Sequence, residues 1–217
     1  MKTAPHSVLN DDRHLAHTLI LRFPKPLEAD TLLWLSDHHD LKFEQTAQGE
    51  LIITPPTGSA ASLGESSLHG QIVAWRDRYA PNDIVLPASG GITLPDGSEW
   101  GPDSTWIKAQ TYARASDEDV ALTYWRLVPD GIFELLSPSD NVGDAAYNLK
   151  IGAYTANVLP LIVVLDPKER RTLTSRDGGP FIESREPTLD LTSNMPKFAL
   201  DVKAVFESDA KLRRLRL

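Results

Sequence analysis

The sequence contains no cysteine among its 217 residues. A chain without thiols has no disulfide scaffold, no thiolate zinc site, no iron–sulfur cluster and no cysteine nucleophile. This composition is typical of proteins in a reducing compartment, and we expect a cytoplasmic protein. No apolar run approaches the roughly 18 residues that cross a bilayer, and residues 1–23 lack the continuous apolar segment of a signal peptide. We therefore expect no association with a membrane.

Positive charge is also scarce, because 22 Lys and Arg residues stand against 30 Asp and Glu residues, for a net charge of −8. Such a balance argues against a surface that holds nucleic acid non-specifically. A local basic groove is still compatible with it. Its candidate members are Arg76, Arg78, Lys108 and Arg114, or the basic tail at 211–216.

The common catalytic motifs are missing as well. The chain has no Walker loop, no GxSxG elbow and no dinucleotide fingerprint. Its six histidines do not have the spacing of a zinc motif. A different class of enzyme, built on one of these motifs, is therefore the least favoured reading.

What is present is typical of a globular domain, with 41% hydrophobic and 24% charged residues. No internal repeat or linker divides the chain, and we expect a single domain over 1–217. Hydrophobic periodicity and turn residues predict α/β structure in which one strand–helix–strand unit makes a parallel crossover. The predicted helices are 28–36, 62–79 and 144–157, with a last short helix that ends in the basic tail; the main predicted strands are 41–46, 50–54, 104–107, 132–136 and 159–165.

Glu134 is the first charged residue in an apolar pattern. Alternation along the strand puts Glu134 on the same face as Ile132 and Leu136, and the opposite face is apolar too. A carboxylate held away from water is costly unless it is paired or binds a metal. The alternatives are an exposed strand edge or an ordinary pair with an arginine.

Lys150 is the second such residue. At about 100° per residue, it falls on the helix face of Ala153 and Tyr154, opposite Asn148 and Gly152. The sequence therefore predicts a lysine that points inward. The alternative is a lysine whose stem packs while its ammonium group reaches water.

Two further carboxylates are weaker candidates. Glu65 lies beside the apolar stripe of the helix at 62–79. An ion pair with Arg76, or an ordinary position at the edge of the stripe, explains it as well as a role as metal ligand does. Asp103 follows Pro102 at the entry to a strand, where aspartate is also a routine turn residue. Together the four residues offer three carboxylates for Mg²⁺ and one ammonium group to act on water or on phosphate charge. This set suits metal-assisted hydrolysis of a phosphodiester.

The chain also resembles the Uma-type restriction-endonuclease family of the PD-(D/E)XK nuclease superfamily. The likeness runs over most of the chain and is specific only as an ordered combination. Its landmarks are residues 49–58 (GELIITPPTG), 101–103 (GPD) and 129–139 (PDGIFELLSPS), followed by Lys150, Tyr154 and 165–167 (LDP).

This resemblance implies a restriction-endonuclease-like core at about 32–179, with a C-terminal extension at about 180–217. A mixed central β-sheet flanked by helices is expected, with an N-terminal helix and hairpin. Asp103 and Glu134 match the first and second acidic positions of the superfamily, and Glu65 matches a metal-binding glutamate of the first helix. The usual lysine position holds Leu136, and Lys150 matches the variant whose lysine lies on the following helix.

The function implied is a Mg²⁺-dependent endonuclease, with Mn²⁺ as a possible substitute. Asp103, Glu134 and Lys150 are its catalytic residues, and Asp103, Glu134 and Glu65 its metal ligands. DNA is the implied substrate and a homodimer the implied assembly. The alternative function is a catalytically inactive nuclease fold that binds nucleic acid or protein. The two differ in whether the four side chains meet at one site.

Overall fold

The computed structural model describes residues 18–39, 41–56, 58–122, 124–137 and 140–208. These residues form two six-stranded sheets, a two-stranded sheet and six helices. The architecture is the mixed α/β fold that the sequence predicts. No helix within these ranges is both long and apolar enough to cross a membrane.

The first large sheet contains the predicted hairpin and joins it to four other strands. In chain order its strands are β1 (Leu19–Arg22), β2 (Lys42–Gln45), β3 (Glu50–Thr54), β5 (Gly91–Thr93), β6 (Glu99–Trp100) and β8 (Tyr124–Arg126). Their spatial order is β1-β3-β2-β6-β5-β8, antiparallel except between β5 and β8. Gly49 makes the β2–β3 turn with a φ of +89°, and a Cβ there would lie 2.7 Å from the Phe23 carbonyl oxygen. Only glycine accepts both constraints.

The second large sheet is mixed, as predicted. Its strands are β4 (Ile84–Pro87), β7 (Ser104–Ile107), β9 (Gly131–Leu135), β10 (Leu161–Asp166), β11 (Arg171–Arg176) and β12 (Ile182–Ser184). Their spatial order is β12-β11-β10-β9-β7-β4, and β9 and β10 are parallel. Helix α5 (Ala145–Ala156) connects β9 to β10, which confirms the predicted crossover. Strands β13 (Thr188–Asp190) and β14 (Ala199–Asp201) form the small third sheet.

The other helices are α1 (Ala29–His39), α2 (Ser59–Tyr79), α3 (Ala109–Tyr112), α4 (Asp117–Ala121) and α6 (Val202–Phe206). Helix α2 begins three residues before its predicted start. Asp144 is the N-cap residue of α5, but its carboxylate accepts hydrogen bonds from Asn141 rather than from the helix. Helix α6 ends at Phe206, and the predicted basic end of the last helix, residues 211–216, lies outside the described ranges.

Alternation along β9 separates two hydrophobic clusters. Phe133 and Leu135 pack against α2 and the C-terminal segment, whereas Ile132 packs against α5 and the first sheet. Strand β10, buried along its whole length, alternates in the same way. Glu134 therefore shares the side of Ile132, where α5 and the first large sheet face β9.

Candidate active site

A cavity of about 700 Å³ is lined by both large sheets, α2 and α5. Carboxyl groups dominate its charged lining. The acidic members are Glu44, Glu65, Asp103, Glu134, Asp140 and Asp144, and the basic members among the described residues are Lys42 and Lys150. All four residues singled out in the sequence thus border one cavity.

Glu134 is buried at the centre of this lining and is 7% exposed. Its Oε1 accepts a hydrogen bond of 2.8 Å from the Tyr154 hydroxyl. Lys150 Nζ lies 2.9 Å from Glu134 Oε1 and 3.0 Å from Glu134 Oε2. The strand glutamate is therefore not at an exposed edge, it pairs with no arginine in the described part of the chain, and two residues of α5 hold it.

The Lys150 ammonium group points into the cavity, as the helical period predicts. Its Nζ also lies 3.0 Å from Glu44 Oε1, and its side chain is 14% exposed. We call Lys150, Glu44 and Glu134 the cavity cluster. Asn148 and Gly152, which the period places on the opposite face of α5, are exposed.

Asp103 lies beside Glu134 because of the register between two neighbouring strands. Antiparallel β7 and β9 pair Ser104 with Phe133, so the next step along both strands brings Asp103 alongside Glu134. Asp103 Oδ2 accepts a hydrogen bond of 2.7 Å from the Leu135 N–H. This bond fixes the Asp103 carboxylate just before the first residue of β7. Lys42 Nζ is 3.8 Å from Asp103 Oδ1.

Strand β2 contributes two residues that the sequence argument did not select. Glu44 accepts a hydrogen bond of 2.9 Å from the Gly101 N–H as well as its contact with Lys150. Lys42 Nζ is 3.6 Å from Glu44 Oε1. The two residues share a face of β2, and Phe43 between them packs on the opposite face with Leu32 of α1.

Burial and neighbouring charges give the two cluster carboxyl groups different pKa values. Burial raises the pKa of Glu134 to about 7, and the negative charges of Asp103 and Glu44 act in the same direction against Lys150. Burial also acts to raise the pKa of Glu44, but Lys150, Lys42 and the Gly101 N–H lower it overall. Of these two glutamates, Glu134 is therefore the one that exchanges a proton near neutrality.

The pKa of Lys150 is raised. Burial alone would lower this pKa, but the carboxylates of Glu134, Glu44 and Asp103 outweigh it. Burial likewise raises the pKa of Tyr154, together with the charges of Glu134 and Glu44. Near neutral pH, Lys150 is an ammonium ion and Tyr154 a neutral hydroxyl.

The remaining predicted residues are placed less centrally. Glu65 of α2 is half-buried and borders the cavity. Arg76, its alternative partner from the sequence, hydrogen-bonds Asp77 instead. Lys108 pairs with Asp130 at 3.2 Å, and neither it nor the other three candidate basic residues borders the cavity.

The donor set can be compared with what Mg²⁺ requires. Within the described ranges, no three His, Asp or Glu side chains converge closely enough to form a metal cage. Mg²⁺ is usually held by one or two carboxylates, and water and substrate phosphate complete its shell. Asp103 and Glu134, on adjacent strands at one cavity, fit a site of this open kind.

The sequence pattern around Lys42 and Glu44 did not distinguish them from the residues of an ordinary exposed hairpin. Lys42 and Glu44 alternate with Phe43, which is the ordinary pattern of a hairpin with one polar, solvated face. Only the packing of the first large sheet against β9 and α5 buries that face. Tyr154 was placed on the inward face by the helical period, but nothing in the sequence indicated its bond to Glu134.

Comparisons with known proteins agree with this architecture. A crystal structure from Anabaena variabilis, described as a putative nuclease belonging to DUF820, matches with a TM-score of 0.68 at 17% identity, covering 84% of this chain and 99% of that chain. Likeness at this identity concerns the fold, and it confirms the restriction-endonuclease-like prediction. A search of curated proteins found no match. The Uma2 family model, described as putative restriction endonuclease, matches residues 28–203, and the chain therefore belongs to the Uma2 family.

Proposed function

We propose that this protein is a metal-dependent endonuclease that hydrolyses phosphodiester bonds in DNA. The observation that carries the proposal is the meeting of Asp103, Glu134 and Lys150 at one cavity, although they come from a turn, a strand and a helix. Membership of a family of putative restriction endonucleases supports the same reaction.

Asp103 and Glu134 are the residues that would hold Mg²⁺ or Mn²⁺, and Glu65 is a further oxygen donor on the cavity lining. The metal would supply Lewis-acid activation of water and of the phosphate group. The protein's own part is to keep these carboxylates in place. The Leu135 N–H holds Asp103, and the Tyr154 hydroxyl holds Glu134.

Lys150 acts in this proposal as a fixed positive charge. Because it is an ammonium ion between two carboxylates, it donates hydrogen bonds and does not accept a proton. It offsets part of the negative charge of Glu44 and Glu134, which favours ionisation of Glu134 in a buried position. A positive charge at this point also favours the negative charge that develops on the phosphate oxygens and on the attacking water.

The acidic lining of the cavity leads to a testable expectation about divalent cations. Among the described residues, six carboxyl groups and two ammonium groups line it, so a DNA phosphate is repelled unless cations reduce the negative charge. Cleavage should therefore depend strictly on a divalent cation. Cutting both strands of a duplex requires two such sites, and a homodimer, which sedimentation velocity can detect, would provide them.

The test is incubation of the purified protein with supercoiled and single-stranded DNA, in Mg²⁺, in Mn²⁺ and in EDTA. Nicking is expected with either metal and is expected to disappear in Glu134→Gln and Lys150→Met. Glu183→Gln and Arg171→Met serve as matched controls, because these residues form an ion pair outside the cavity. Controls should cleave at the wild-type rate.

Two results would contradict the proposal. Metal-dependent nicking that persists in both cavity variants would remove the assigned residues from the reaction. Wild-type protein that binds DNA without cleaving it in either metal would favour the alternative, an inactive nuclease fold that serves as a binding module.

A further inference from the structure

The two ammonium groups of the cavity differ in how their hydrogen-bond donors are used. Lys150 Nζ has three carboxylate oxygens within 3.0 Å, one from Glu44 and both from Glu134. An ammonium group has three N–H donors. The donors of Lys150 are thus fully occupied, and a new ligand could be reached only by breaking a contact with one of two buried carboxylates.

Lys42 is in the opposite situation. Its closest carboxylate oxygens, Glu44 Oε1 and Asp103 Oδ1, are 3.6 and 3.8 Å away, beyond hydrogen-bonding distance. Its side chain is 30% exposed, so solvent and ligands reach it. Among the described residues that border the cavity, it is the cation whose donors are not committed to carboxylates.

The structure also provides a defined position for this side chain. The stem of Lys42 passes over Gly101, where an added Cβ would lie 3.2 Å from Lys42 Cε. A larger residue at this point would displace the lysine stem by a few tenths of an ångström, so Gly101 leaves room for the observed path. At the end of that path the ammonium group lies between Glu44 and Asp103, at 3.6 and 3.8 Å.

We propose that Lys42 is the residue that binds the substrate's phosphate group in this cavity. This inference rests on the proposed function, because it assigns a role at the same site. Phosphate oxygens accept strong charge-assisted hydrogen bonds from an ammonium group. Lys42 can give them donors without breaking a hydrogen bond, and binding places the phosphate beside Asp103 and the cavity cluster.

The experiment compares the two lysines directly. Protein labelled with ¹³C at lysine Cε is titrated with inorganic phosphate at pH 7 in the presence of Mg²⁺, and the Lys42 signal is identified by its loss in Lys42→Arg. Phosphate should shift the Lys42 signal in a saturable manner and leave the Lys150 signal in place. A shift of Lys150 without Lys42, or a shift of neither, would overturn the inference.

Variants give a second reading of the same contact. Lys42→Met is expected to weaken phosphate binding by about tenfold or more, because one charge-assisted hydrogen bond is lost. Lys42→Arg should retain most of the affinity. Lys203→Met is the matched control, since Lys203 is exposed on α6 and loses the same charge. Equal affinity in Lys42→Met and wild type would contradict the assignment.

Nuclease assays of the same proteins separate this inference from the proposed function. If wild type cleaves DNA and Lys42→Met cleaves it equally well, the role of Lys42 is wrong and the proposed function stands. If wild type does not cleave DNA but phosphate shifts the Lys42 signal, the phosphate contact stands and the proposed function is wrong.

Discussion

Within the described part of the chain, two ion clusters hold one cation within hydrogen-bonding distance of two carboxylates, and they differ in their surroundings. The cavity cluster joins α5 to β2 and β9, which are far apart in the sequence. The edge cluster, defined as Arg171 with Asp166 and Glu183, joins three consecutive strands, β10 to β12. The Glu183 side chain is 41% exposed, whereas both carboxylates of the cavity cluster are below 10%. Only the edge cluster has a member in open contact with solvent.

The pKa values of Glu183 and Glu134 are shifted in opposite directions. The hydrogen bond from Arg171 lowers the pKa of Glu183, which water still solvates. Burial raises the pKa of Glu134 to about 7, although Lys150 contacts both of its oxygens. At Glu134 the loss of hydration outweighs the attraction of Lys150, whereas at Glu183 the hydrogen bond from Arg171 outweighs the smaller loss of hydration. Burial alone does not decide the direction, because the buried Glu44 has a lowered pKa owing to Lys150, Lys42 and the Gly101 N–H.

The largest effect is expected from Lys150→Met, which removes the cation of the cavity cluster. Two buried carboxylates then lose their closest counter-charge, and the free energy of unfolding should fall by about 3–5 kcal/mol. Urea denaturation at pH 7, followed by circular dichroism, measures this change. The double variant Lys150→Met/Glu134→Gln should recover part of the loss, because it removes one of the uncompensated charges. Wild-type stability in the single variant would contradict the electrostatic role of Lys150.

The next effect is a pH dependence of stability that originates from Glu134. Its folded-state pKa of about 7 lies above the ordinary value of 4.5, so between these values the folded state keeps a proton that the unfolded state has released. The favourable contribution is therefore fully present below pH 4.5 and is lost as the pH rises through 7. Lys150 stays charged over this range, so it does not contribute to the pH dependence of the free energy of unfolding.

Denaturation of wild type and Glu134→Gln between pH 5 and pH 8 in EDTA isolates this group. Wild type should lose up to about 3 kcal/mol more than the variant over that range. Glu183→Gln is the control from the edge cluster and should follow wild type. Parallel curves for wild type and Glu134→Gln would mean that Glu134 titrates at its ordinary pKa.

A smaller effect is expected from Tyr154→Phe. The change keeps the ring and removes the donor of the 2.8 Å hydrogen bond to Glu134. The free energy of unfolding should fall by about 1–3 kcal/mol, because a buried charged acceptor loses one partner. Nicking should decrease but persist, since Lys150 still holds Glu134. Tyr112→Phe, at an exposed ring, is the matched control and should change neither measurement.

The inward positions of Glu134 and Lys150 could be predicted because each interrupts a regular apolar pattern. Strand alternation and the helical period define a buried face without any knowledge of what covers it. The geometry of Asp103 and Glu65 was less accessible, because an aspartate after proline and a glutamate at a helix stripe are common in proteins without a site. Their local patterns made them only weak candidates, and the family resemblance added the support that those patterns lack.

Lys42 and Glu44 were missed for a physical reason. Their alternation with Phe43 specifies that one face of β2 is polar, but a polar face is normally solvated. Its burial depends on contacts between the first large sheet and the β9–α5 unit, which follow from the assembly of distant segments. For the same reason the hairpin was predicted as a local unit, whereas the six-stranded sheet that contains it was not.

The smallest effect is expected from Arg171→Met, which makes in the edge cluster the change that Lys150→Met makes in the cavity cluster. Asp166 keeps a hydrogen bond from the Glu169 N–H, and Glu183 keeps Arg185 at 3.0 Å, so neither carboxylate is left without a donor. The melting temperature should stay within about 2 °C of wild type, and nicking should be unchanged. A loss comparable to that of Lys150→Met would mean that the number of ion-pair partners, rather than burial, determines the strength of both clusters.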